Sequence, residues 1–445
     1  MSLLINAAII VSALIFLYWD WDGSPPVISW PSNVPEVVSG QTPIQLTITD
    51  EGKGLAQVSV ILVQDSYRTT VLRESMTRSW LPWDTGNAQR ELTFTPMKTK
   101  GTPALKDGPF SVEVHVEDHP SWWLFQNSVV STQNFQLDRS PPEVILLSKQ
   151  HTLRLRQGGS EALRYSTSRD TITSGVSVGE RSFRGYRQSM ADTDEFVCIF
   201  ALAYNAPLDT PVVVWAEDQV GNRAETTVPI QLRERRFRQR EINISDTFID
   251  NVLPDILQQS GLTPPETQVE RFLLVNATMR QKNNAQIEEI NARSTNQALW
   301  SEPFIQLSNS QVEAAFADER SYMYQGEKID EQTHLGFDLA SIAHGPVEAA
   351  NAGTVMHAAY LGIYGNCVML DHGLGMMSLY AHMSQIDVAE GQAIRRGEIL
   401  GKTGKTGLAG GDHLHFGILV QGVSVTPLEW WDPKWVKNHF LSRIQ

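Results

Sequence analysis

The sequence has few cysteines and little basic character. Only two cysteines, Cys198 and Cys367, occur among 445 residues, and they lie far apart. This number and spacing exclude a disulfide framework and a cysteine-based metal site, so we interpret both as small buried hydrophobic residues. Acidic residues outnumber basic ones by 50 to 36, and the formal net charge is -14. Because nucleic-acid binding needs a basic surface, this balance argues against a nucleic-acid partner.

Long apolar runs are also scarce, with one exception at the start of the chain. Residues 3–19 are almost wholly apolar and end in Tyr18-Trp19, a pair typical of a membrane interface. No basic residue precedes the run, and no small-x-small cleavage pattern follows it before Asp20. Both features favour an uncleaved anchor over a signal peptide. The sequence therefore predicts an N-terminal transmembrane anchor over 1–22.

The next two hundred residues have the pattern of β-structure. Short alternating runs such as Ile44–Ile48 are separated by Gly, Pro, Asn and Asp. The Ser-Pro-Pro sequence at 24–26 recurs at 140–142, and each copy later contains a strand-like run that ends in Glu-Asp. This weak repeat predicts two β-sandwich modules of immunoglobulin-like pattern, over 23–138 and 139–232.

A helical connector is predicted over 233–299. It begins with a basic run at 233–240, which is either a solvated linker or a contact for anionic wall polymer or lipid. The pattern of caps and apolar residues predicts one helix from about Asp246 to Gln259 and a second over 266–275. The polar stretch over 279–284 has the composition of a loop.

Histidine is unevenly distributed, since eight of the eleven lie at or beyond His334. His413 and His415 stand in strand-like apolar sequence, directly after the glycine-rich run 401–411. Residues two apart in a strand point to the same face, so both imidazoles face one spot. They are either metal-site residues or two ordinary strand histidines. Around them, glycine-bounded strand patterns predict a compact antiparallel β domain over 300–445.

Three further side chains make the histidine pair a candidate metal site. His334 and Asp338 stand four residues apart, and His382 ends another predicted strand. A catalytic zinc ion takes three nitrogen or oxygen ligands and keeps one position for water. A neighbouring histidine can then transfer protons. Together with His413 and His415, these side chains are the set that zinc-dependent hydrolysis requires.

The segment from His334 to about Trp431 resembles the lysostaphin-like (LytM-type) zinc metalloendopeptidases that cut peptidoglycan cross-links. The matching motifs, in order, are His334-x3-Asp338, Tyr364-Gly365-Asn366, Asp371-His372-Gly373, Tyr380-Ala381-His382, the glycines 391, 397, 401, 404 and 407, and His413-Leu414-His415-Phe416. The resemblance implies that His334, Asp338 and His415 hold one zinc ion. It also implies that His382 and His413 are the catalytic residues, which orient or deprotonate the attacking water.

Two stretches depart from the common pattern of that family, and neither contains an implied ligand. Gly410-Gly411-Asp412 replaces a Thr-Gly-Pro sequence, and Gly417 replaces an acidic residue. Both bear on the shape of the substrate groove.

In the first β module, the loop tryptophans are either a binding platform or packing aromatics. These residues are Trp80, Trp83, Trp122 and Trp123.

The resemblance leads to a complete functional expectation. The chain is expected to be a mainly β, single-pass protein of the cell membrane, with its bulk in the periplasm or extracytoplasmic space. It would be a zinc endopeptidase that hydrolyses peptide cross-links of bacterial peptidoglycan by metal-activated water, with envelope-protein partners bound through the β-sandwich modules. The alternative is a non-catalytic regulator that activates a cell-wall amidase or division partner. Relatives with covering segments also suggest that the connector near 279–296 covers the substrate groove.

Overall fold

The computed structural model describes residues 9–12, 23–77, 88–97, 105–120, 125–147, 153–188 and 194–444. The predicted anchor over 1–22 lies outside these ranges except for 9–12, and the four loop tryptophans of the first module also lie outside them. Within the described ranges, no helix is long and apolar enough to cross a membrane. The chain divides into two compact units, one formed by 1–141 with 217–223 and the other by 142–216 with 224–445.

The first unit is a pair of β-sheets with one core. Its strands are β1 (Val27–Ser29), β2 (Val37–Val38), β3 (Ile44–Thr49), β4 (Leu55–Gln64), β5 (Tyr67–Ser75), β6 (Gln89–Phe94), β7 (Gly108–Asp118) and β8 (Ser128–Leu137). One sheet has the order β1-β3-β6 and the other β2-β8-β7-β4-β5. In β7, Val112, Val114 and Val116 are fully buried, whereas the residues between them are half-buried. This alternation confirms the predicted β-structure and places one face of the strand in the core.

The predicted sequence repeat corresponds to a repeated turn contact. Asp118 accepts hydrogen bonds from the backbone and side chain of Asn127, at 2.8 and 2.7 Å. Asp218 accepts the same pair of bonds from Asn222, at 2.9 and 2.8 Å. In both copies the aspartate at the end of the Glu-Asp strand therefore bonds an asparagine that follows it in the chain.

The second β module belongs to the larger unit. Its strands are β9 (Val144–Leu146), β10 (Leu153–Arg156), β11 (Ser160–Thr167), β12 (Thr171–Val178), β13 (Arg181–Arg184), β14 (Tyr186–Arg187), β15 (Glu195–Ala201), β16 (Val212–Asp218), β17 (Arg223–Thr227) and β18 (Ile230–Arg233). They form sheets of order β14-β15-β11-β9 and β13-β12-β16-β17, with β10 and β18 paired in parallel. The immunoglobulin-like pattern of both modules stays a prediction.

The connector is more helical than the sequence indicates. After β19 (Gln239–Ile244) come α1 (Asp246–Gln259), α2 (Gln268–Leu273), a π-helical segment (Leu274–Met279) and α3 (Arg280–Asn291). Ser245 caps α1 as expected, by accepting a hydrogen bond from the Phe248 amide. The predicted loop over 279–284 is wrong, because this stretch is helical. Its polar surface residues hide a helical stripe in which Val275, Met279 and Ile287 are buried.

The C-terminal region is an antiparallel β domain, as predicted. Its elements are β20 (Gln311–Ala314), β21 (Asp318–Tyr324), β22 (Glu327–His334), β23 (Phe337–Ala340), β24 (Pro346–Glu348), β25 (Gly353–Tyr360), a 3-10 turn (Gly362–Tyr364), β26 (Asn366–Gly373), β27 (Met376–Met383), β28 (Gln385–Ile386), β29 (Ala393–Ile394), β30 (Ile399–Lys402), β31 (Leu414–Val420), β32 (Val423–Val425), α4 (Pro427–Trp431), α5 (Pro433–Val436), a π-helical segment (Lys437–Leu441) and α6 (Ser442–Ile444). The main sheet has the order β20-β23-β31-β27-β26-β25-β29, with β32 beside β31.

Both faces of this main sheet are covered. On one face, Leu379, Ala381 and Leu419 share a core with the connector helices. On the other face, Tyr380 and Phe416 share a core with the second β module and the C-terminal tail. This explains why every residue of β27 and β31 is buried instead of every second one. The domain boundaries at 232 and 299 stay predictions, since the residues on both sides of each lie in one compact unit.

Candidate metal centre

Three side chains from separate strands meet at one end of the main sheet. His334 is the last residue of β22, Asp338 lies in β23, and His415 lies opposite Asp338 in the antiparallel register of β23 and β31. The Nε2 atom of His334 lies 2.9 Å from Asp338 Oδ1 and 2.9 Å from His415 Nδ1. The distance from His415 Nδ1 to Asp338 Oδ1 is 3.0 Å. One ligand-type atom of each residue thus lies within 4.8 Å of the other two.

Contacts on the far side of two of these groups fix their orientation. His334 Nδ1 lies 3.0 Å from the carbonyl oxygen of Ala315 and donates a hydrogen bond to it, so Nε2 is the ring nitrogen that faces the centre. Asp338 Oδ2 accepts a hydrogen bond of 3.0 Å from Arg320 Nη2, so only Oδ1 faces the histidines. Arg320 belongs to β21, outside every motif that the sequence identified, and only the strand pairing brings it to Asp338.

The two remaining predicted residues, His382 and His413, lie beside the first three. Their rings are 4.9 Å apart between centroids, and the ring of His382 is 5.8 Å from that of His415. His382 Nδ1 donates to the carbonyl oxygen of Thr406 at 2.8 Å, and His413 Nδ1 donates to that of Gly411 at 2.9 Å. His382 therefore keeps Nε2 as an acceptor, whereas His413 Nε2 faces the Asp338 carboxylate at 3.5 Å. All five predicted site residues are brought together.

Burial and charge set the protonation states of this cluster. Burial raises the pKa of Asp338, but the adjacent His334 and the hydrogen bonds from three histidines outweigh burial and bring the pKa well below its usual value. Burial lowers the pKa of His415 to about 4. Burial, reinforced by His413 and His415, also brings the pKa of His382 well below its usual value. At neutral pH Asp338 is thus a carboxylate, and His382 and His415 are neutral imidazoles, which are the forms that bind metals.

His413 has the opposite shift. Its burial lowers the pKa, but the hydrogen bond and charge of Asp338 outweigh this effect and raise the pKa above the ordinary histidine value. The distance from His413 Nε2 to Asp338 Oδ1 is 3.5 Å. The two histidines of the His413-Leu414-His415 motif therefore differ in environment, although the strand alternation treats them alike.

Asp412 gives the atypical glycine-rich stretch a fixed position. Its Oδ1 accepts a hydrogen bond from Thr403 Oγ1 at 2.7 Å, and its Oδ2 accepts one from the His344 amide at 3.2 Å. The His413 amide in turn donates to the Gly404 carbonyl at 3.0 Å. These contacts hold His413 on the edge of the centre. Asp412 thus fixes the chain at the position where the common family pattern has a proline.

Two other histidines of the C-terminal region, His372 and His344, lie outside the centre. His372 is fully buried between the Ala352 carbonyl and the Ser378 hydroxyl, each 2.7 Å from a ring nitrogen. His344 is exposed, and its Nδ1 lies 3.0 Å from Ser384 Oγ. Within the described residues, neither histidine is part of the candidate metal-binding group.

A cavity of about 250 Å³ lies over the five-residue cluster. The connector provides a further part of the cavity wall, which includes Ile244, Phe272 and Arg280. Tyr364 lines the same cavity, with its ring 5.7 Å from that of His415. Arg280 is a second residue that sequence reasoning missed, because it stands in a polar stretch that resembled a loop.

Comparison with known proteins agrees with this geometry. Residues 332–427 match the family described as Peptidase family M23. The chain is 40% identical over 95 residues to the DD-carboxypeptidase/endopeptidase Mpg of Neisseria meningitidis. The aligned segment covers 21% of this chain and 22% of that protein. It is 35% identical over 96 residues to the peptidoglycan DD-endopeptidase ShyA of Vibrio cholerae, which covers 22% of each. The solved catalytic domain of lysostaphin from Staphylococcus simulans is 25% identical, with a TM-score of 0.23 over 27% of this chain and 90% of that one.

The C-terminal region is thus a metallopeptidase domain. Residues 332–427 form a domain of peptidase family M23, of the LytM type that the sequence motifs indicated. The match spans about a fifth of the length of these curated relatives, 22% in both cases.

Proposed function

We propose that this chain is a zinc-dependent endopeptidase that hydrolyses peptide cross-links of bacterial peptidoglycan. The observation that supports this most strongly is the convergence of His334, Asp338 and His415, whose ligand atoms lie within 4.8 Å of one another. The names of the similar proteins from Neisseria meningitidis and Vibrio cholerae support peptidoglycan peptides as the substrate class.

The donor set fits a single catalytic zinc ion. Two neutral imidazoles and one carboxylate are a ligand set typical of hydrolytic zinc, which keeps a further position for water. The contacts of His334 with Ala315 and of Asp338 with Arg320 provide the outer hydrogen bonds that such ligands need. When bound, zinc polarises a carbonyl group and lowers the pKa of water from 15.7 towards about 7.

His382 and His413 would carry the proton in this reaction. His413 holds a proton more readily, because its Nε2 lies 3.5 Å from Asp338 Oδ1, whereas His382 donates Nδ1–H to a backbone carbonyl, so its Nε2 is the atom that accepts a proton from the attacking water. The same atom then returns the proton to the leaving amine. The close ring contact of 4.9 Å lets either histidine serve the same reacting group.

The location and wider contacts of the protein are part of the proposal. The apolar run over 3–19 would hold the chain in the cell membrane, with the metallopeptidase domain in the periplasm or extracytoplasmic space. Peptidoglycan would be the main partner. The β-sandwich modules would contact other envelope proteins.

The test is digestion of purified sacculi followed by analysis of the released muropeptides, with zinc content measured on the same preparation. We expect one zinc ion per chain and cleaved cross-links. Chelation or His415→Ala should remove both the metal and the cleavage, whereas His357→Ala, away from the cluster, should remove neither.

Cleavage that survives both chelation and His415→Ala would overturn the zinc mechanism. A protein that binds no zinc and cuts nothing, yet stimulates an amidase in the same assay, would establish the regulatory alternative instead.

A further inference from the structure

Arg280 forms part of the wall of the cavity over the metal centre. It comes from connector helix α3 and is half-buried, and it faces a cavity that His334, Asp338 and His415 also line. It lies outside residues 332–427, so the family domain alone does not contain it. The connector therefore adds a positive charge to a site whose other groups come from the β-sheet.

Hydrogen bonds hold the Arg280 guanidinium in one position. Its Nε donates to the Asn276 carbonyl at 2.9 Å, and its Nη2 donates to Asn276 Oδ1 at 2.6 Å. Asn276 is itself fully buried and donates to Asp330 Oδ2 at 2.7 Å. The structure thus fixes Arg280 through a neutral side chain, and in the described part of the chain no acidic residue forms an ion pair with it.

A second guanidinium in the same wall also has an unused donor. Arg320 Nη2 bonds Asp338, but Arg320 Nε is buried and has no hydrogen-bond partner among the described residues. A buried donor without a partner costs about 1–3 kcal/mol. Arg320 lines the same cavity as Arg280, so two guanidinium groups lie in one wall and give it a local positive charge.

The remaining wall limits the kind of anion. Phe248, Phe272, Ile363 and Leu408 give the cavity apolar sides. An apolar cavity with a guanidinium at its wall suits an organic carboxylate, since arginine binds carboxylates through two parallel hydrogen bonds. The protein as a whole has a net charge of -14, so this local positive charge is also needed to admit an anionic substrate.

We propose that Arg280 is a specificity-determining residue that binds a carboxylate of the peptide substrate next to the scissile bond, with the charge of Arg320 in the same wall reinforcing the subsite. The inference rests on the proposed endopeptidase function and defines its substrate more narrowly. Two carboxylates would suit the subsite, the terminal α-carboxylate of the peptide and a side-chain carboxylate beside the bond that is cut.

The test measures binding of three synthetic cross-linked peptides to the full-length, zinc-loaded chain by calorimetry. One peptide has all carboxylates free, one has its terminal carboxylate amidated, and one has the side-chain carboxylate amidated. A His382→Ala background prevents turnover while it keeps the proposed ligands and Arg280. Because a hydrogen bond to a charged group contributes about 1.5–3 kcal/mol, one of the two amides should bind about 10- to 100-fold more weakly.

Substitutions then assign this discrimination to Arg280. Arg280→Gln keeps a hydrogen-bond donor and removes the charge, so it should bind the free and amidated peptides equally. Arg280→Lys keeps the charge and should retain the preference, which provides an answer even where the Gln variant does not fold. Lys282→Gln removes an exposed cation from the same helix and should bind like the parent chain.

Each outcome decides the proposal. The amide that weakens binding identifies which carboxylate is bound. If neither amide weakens binding, or if Arg280→Gln weakens all three complexes equally, the inference is overturned. Turnover of the same peptides by the unsubstituted chain separates the two proposals, because binding discrimination without cleavage refutes only the endopeptidase function, and cleavage without discrimination refutes only the carboxylate subsite.

Discussion

At the scale of single residues, the metal centre depends on space as well as on ligands. Gly336 stands between His334 and Asp338, where the chain passes close to His415. A Cβ atom at this position would lie 2.6 Å from His415 Cε1 and Nε2 and 2.7 Å from the Phe416 carbonyl oxygen. Even the smallest side chain would therefore displace the imidazole or the strand that carries it.

We predict that Gly336→Ala weakens zinc binding about 10- to 100-fold, the range that disturbed ligand orientation causes in zinc sites. Competition with a zinc-binding dye measures the affinity. Gly417→Ala is the matched control, since a Cβ there would meet Leu335 O and Leu379 Cβ at an ordinary 3.7 Å. Equal affinity of the two variants would show that His415 tolerates the displacement.

A buried histidine outside the centre contributes pH-dependent stability. Burial lowers the pKa of His372 to about 4, against 6.5 for an unperturbed histidine. Between these pH values the unfolded chain binds more protons at this position than the folded chain. The stabilisation is therefore fully present above about pH 6.5 and is lost as the pH falls towards 4. At 1.36 kcal/mol per pKa unit, the loss is about 3 kcal/mol.

We predict that His372→Gln reduces the dependence of unfolding free energy on pH between about pH 4 and pH 7. Urea titrations at several pH values in this interval measure the slope of the free energy of unfolding against pH. This slope can be compared between variants of different absolute stability. His344→Gln replaces an exposed histidine and should keep the original slope. An unchanged slope in the His372 variant would mean that other groups cause the acid sensitivity.

At the scale of elements, helix α3 lies against the sheet face that carries the metal centre. Asn283 accepts a hydrogen bond from the Ile363 amide at 3.0 Å, and Asn284 accepts one from the Tyr364 hydroxyl at 3.1 Å. The helix thus binds the turn beside His415 through two neighbouring residues. The sequence-based hypothesis that the connector covers the groove stays a prediction.

We predict that an Asn283→Ala, Asn284→Ala double variant cleaves sacculi about 5- to 30-fold faster than the parent chain. The estimate assumes that two lost hydrogen bonds of about 1 kcal/mol each release the helix from the turn at 362–364, while Asn276 keeps Arg280 in place. Gln281→Ala changes an exposed residue of the same helix and should leave the rate unchanged. If the double variant has the rate of the parent, the helix does not restrict access.

At the scale of the whole molecule, the segment that defines the family is not a separate body. The hairpin that follows β31 reaches the second β module through Gln421. Its side chain accepts a bond from the Arg184 amide at 2.7 Å and donates to the carbonyls of Arg184 and Ile199, at 2.9 and 3.2 Å. Together with the shared hydrophobic core, these contacts make the module part of the metallopeptidase unit.

We predict that Gln421→Ala lowers the free energy of unfolding by about 1–3 kcal/mol, because it removes three hydrogen bonds to the second β module. Urea unfolding, followed by tryptophan fluorescence, measures the change in one experiment. Gln385→Ala is the control, since the exposed Gln385 side chain bonds only Asp387. A Gln421 variant as stable as the Gln385 variant would show that the hairpin contact adds nothing to the unit.

The amino-acid sequence by itself determined the β character, the first connector helix and the five residues of the centre. Alternation of apolar and polar residues has the period of a strand, and Ser245 is a local cap for α1, so both follow from nearest neighbours along the chain. The His-x3-Asp and His-x-His motifs are weak signals singly, and the resemblance of the ordered set of motifs to a known family pointed to the five residues. The sequence did not predict the helix over 279–284, because polar residues outnumber the few buried apolar residues that mark its inner face.

Only the tertiary structure decided which side chains support the metal centre and which side chains line its cavity. Arg320 reaches Asp338 because β21 pairs with β22, and Arg280 reaches the cavity because the connector helices pack on the sheet. Neither contact has a sequence pattern, since the partners are joined by strand pairing and core packing across long stretches of chain. For the same reason, the strand alternation by itself treats His413 and His415 alike. Burial and the distance to Asp338 give the two histidines opposite pKa shifts.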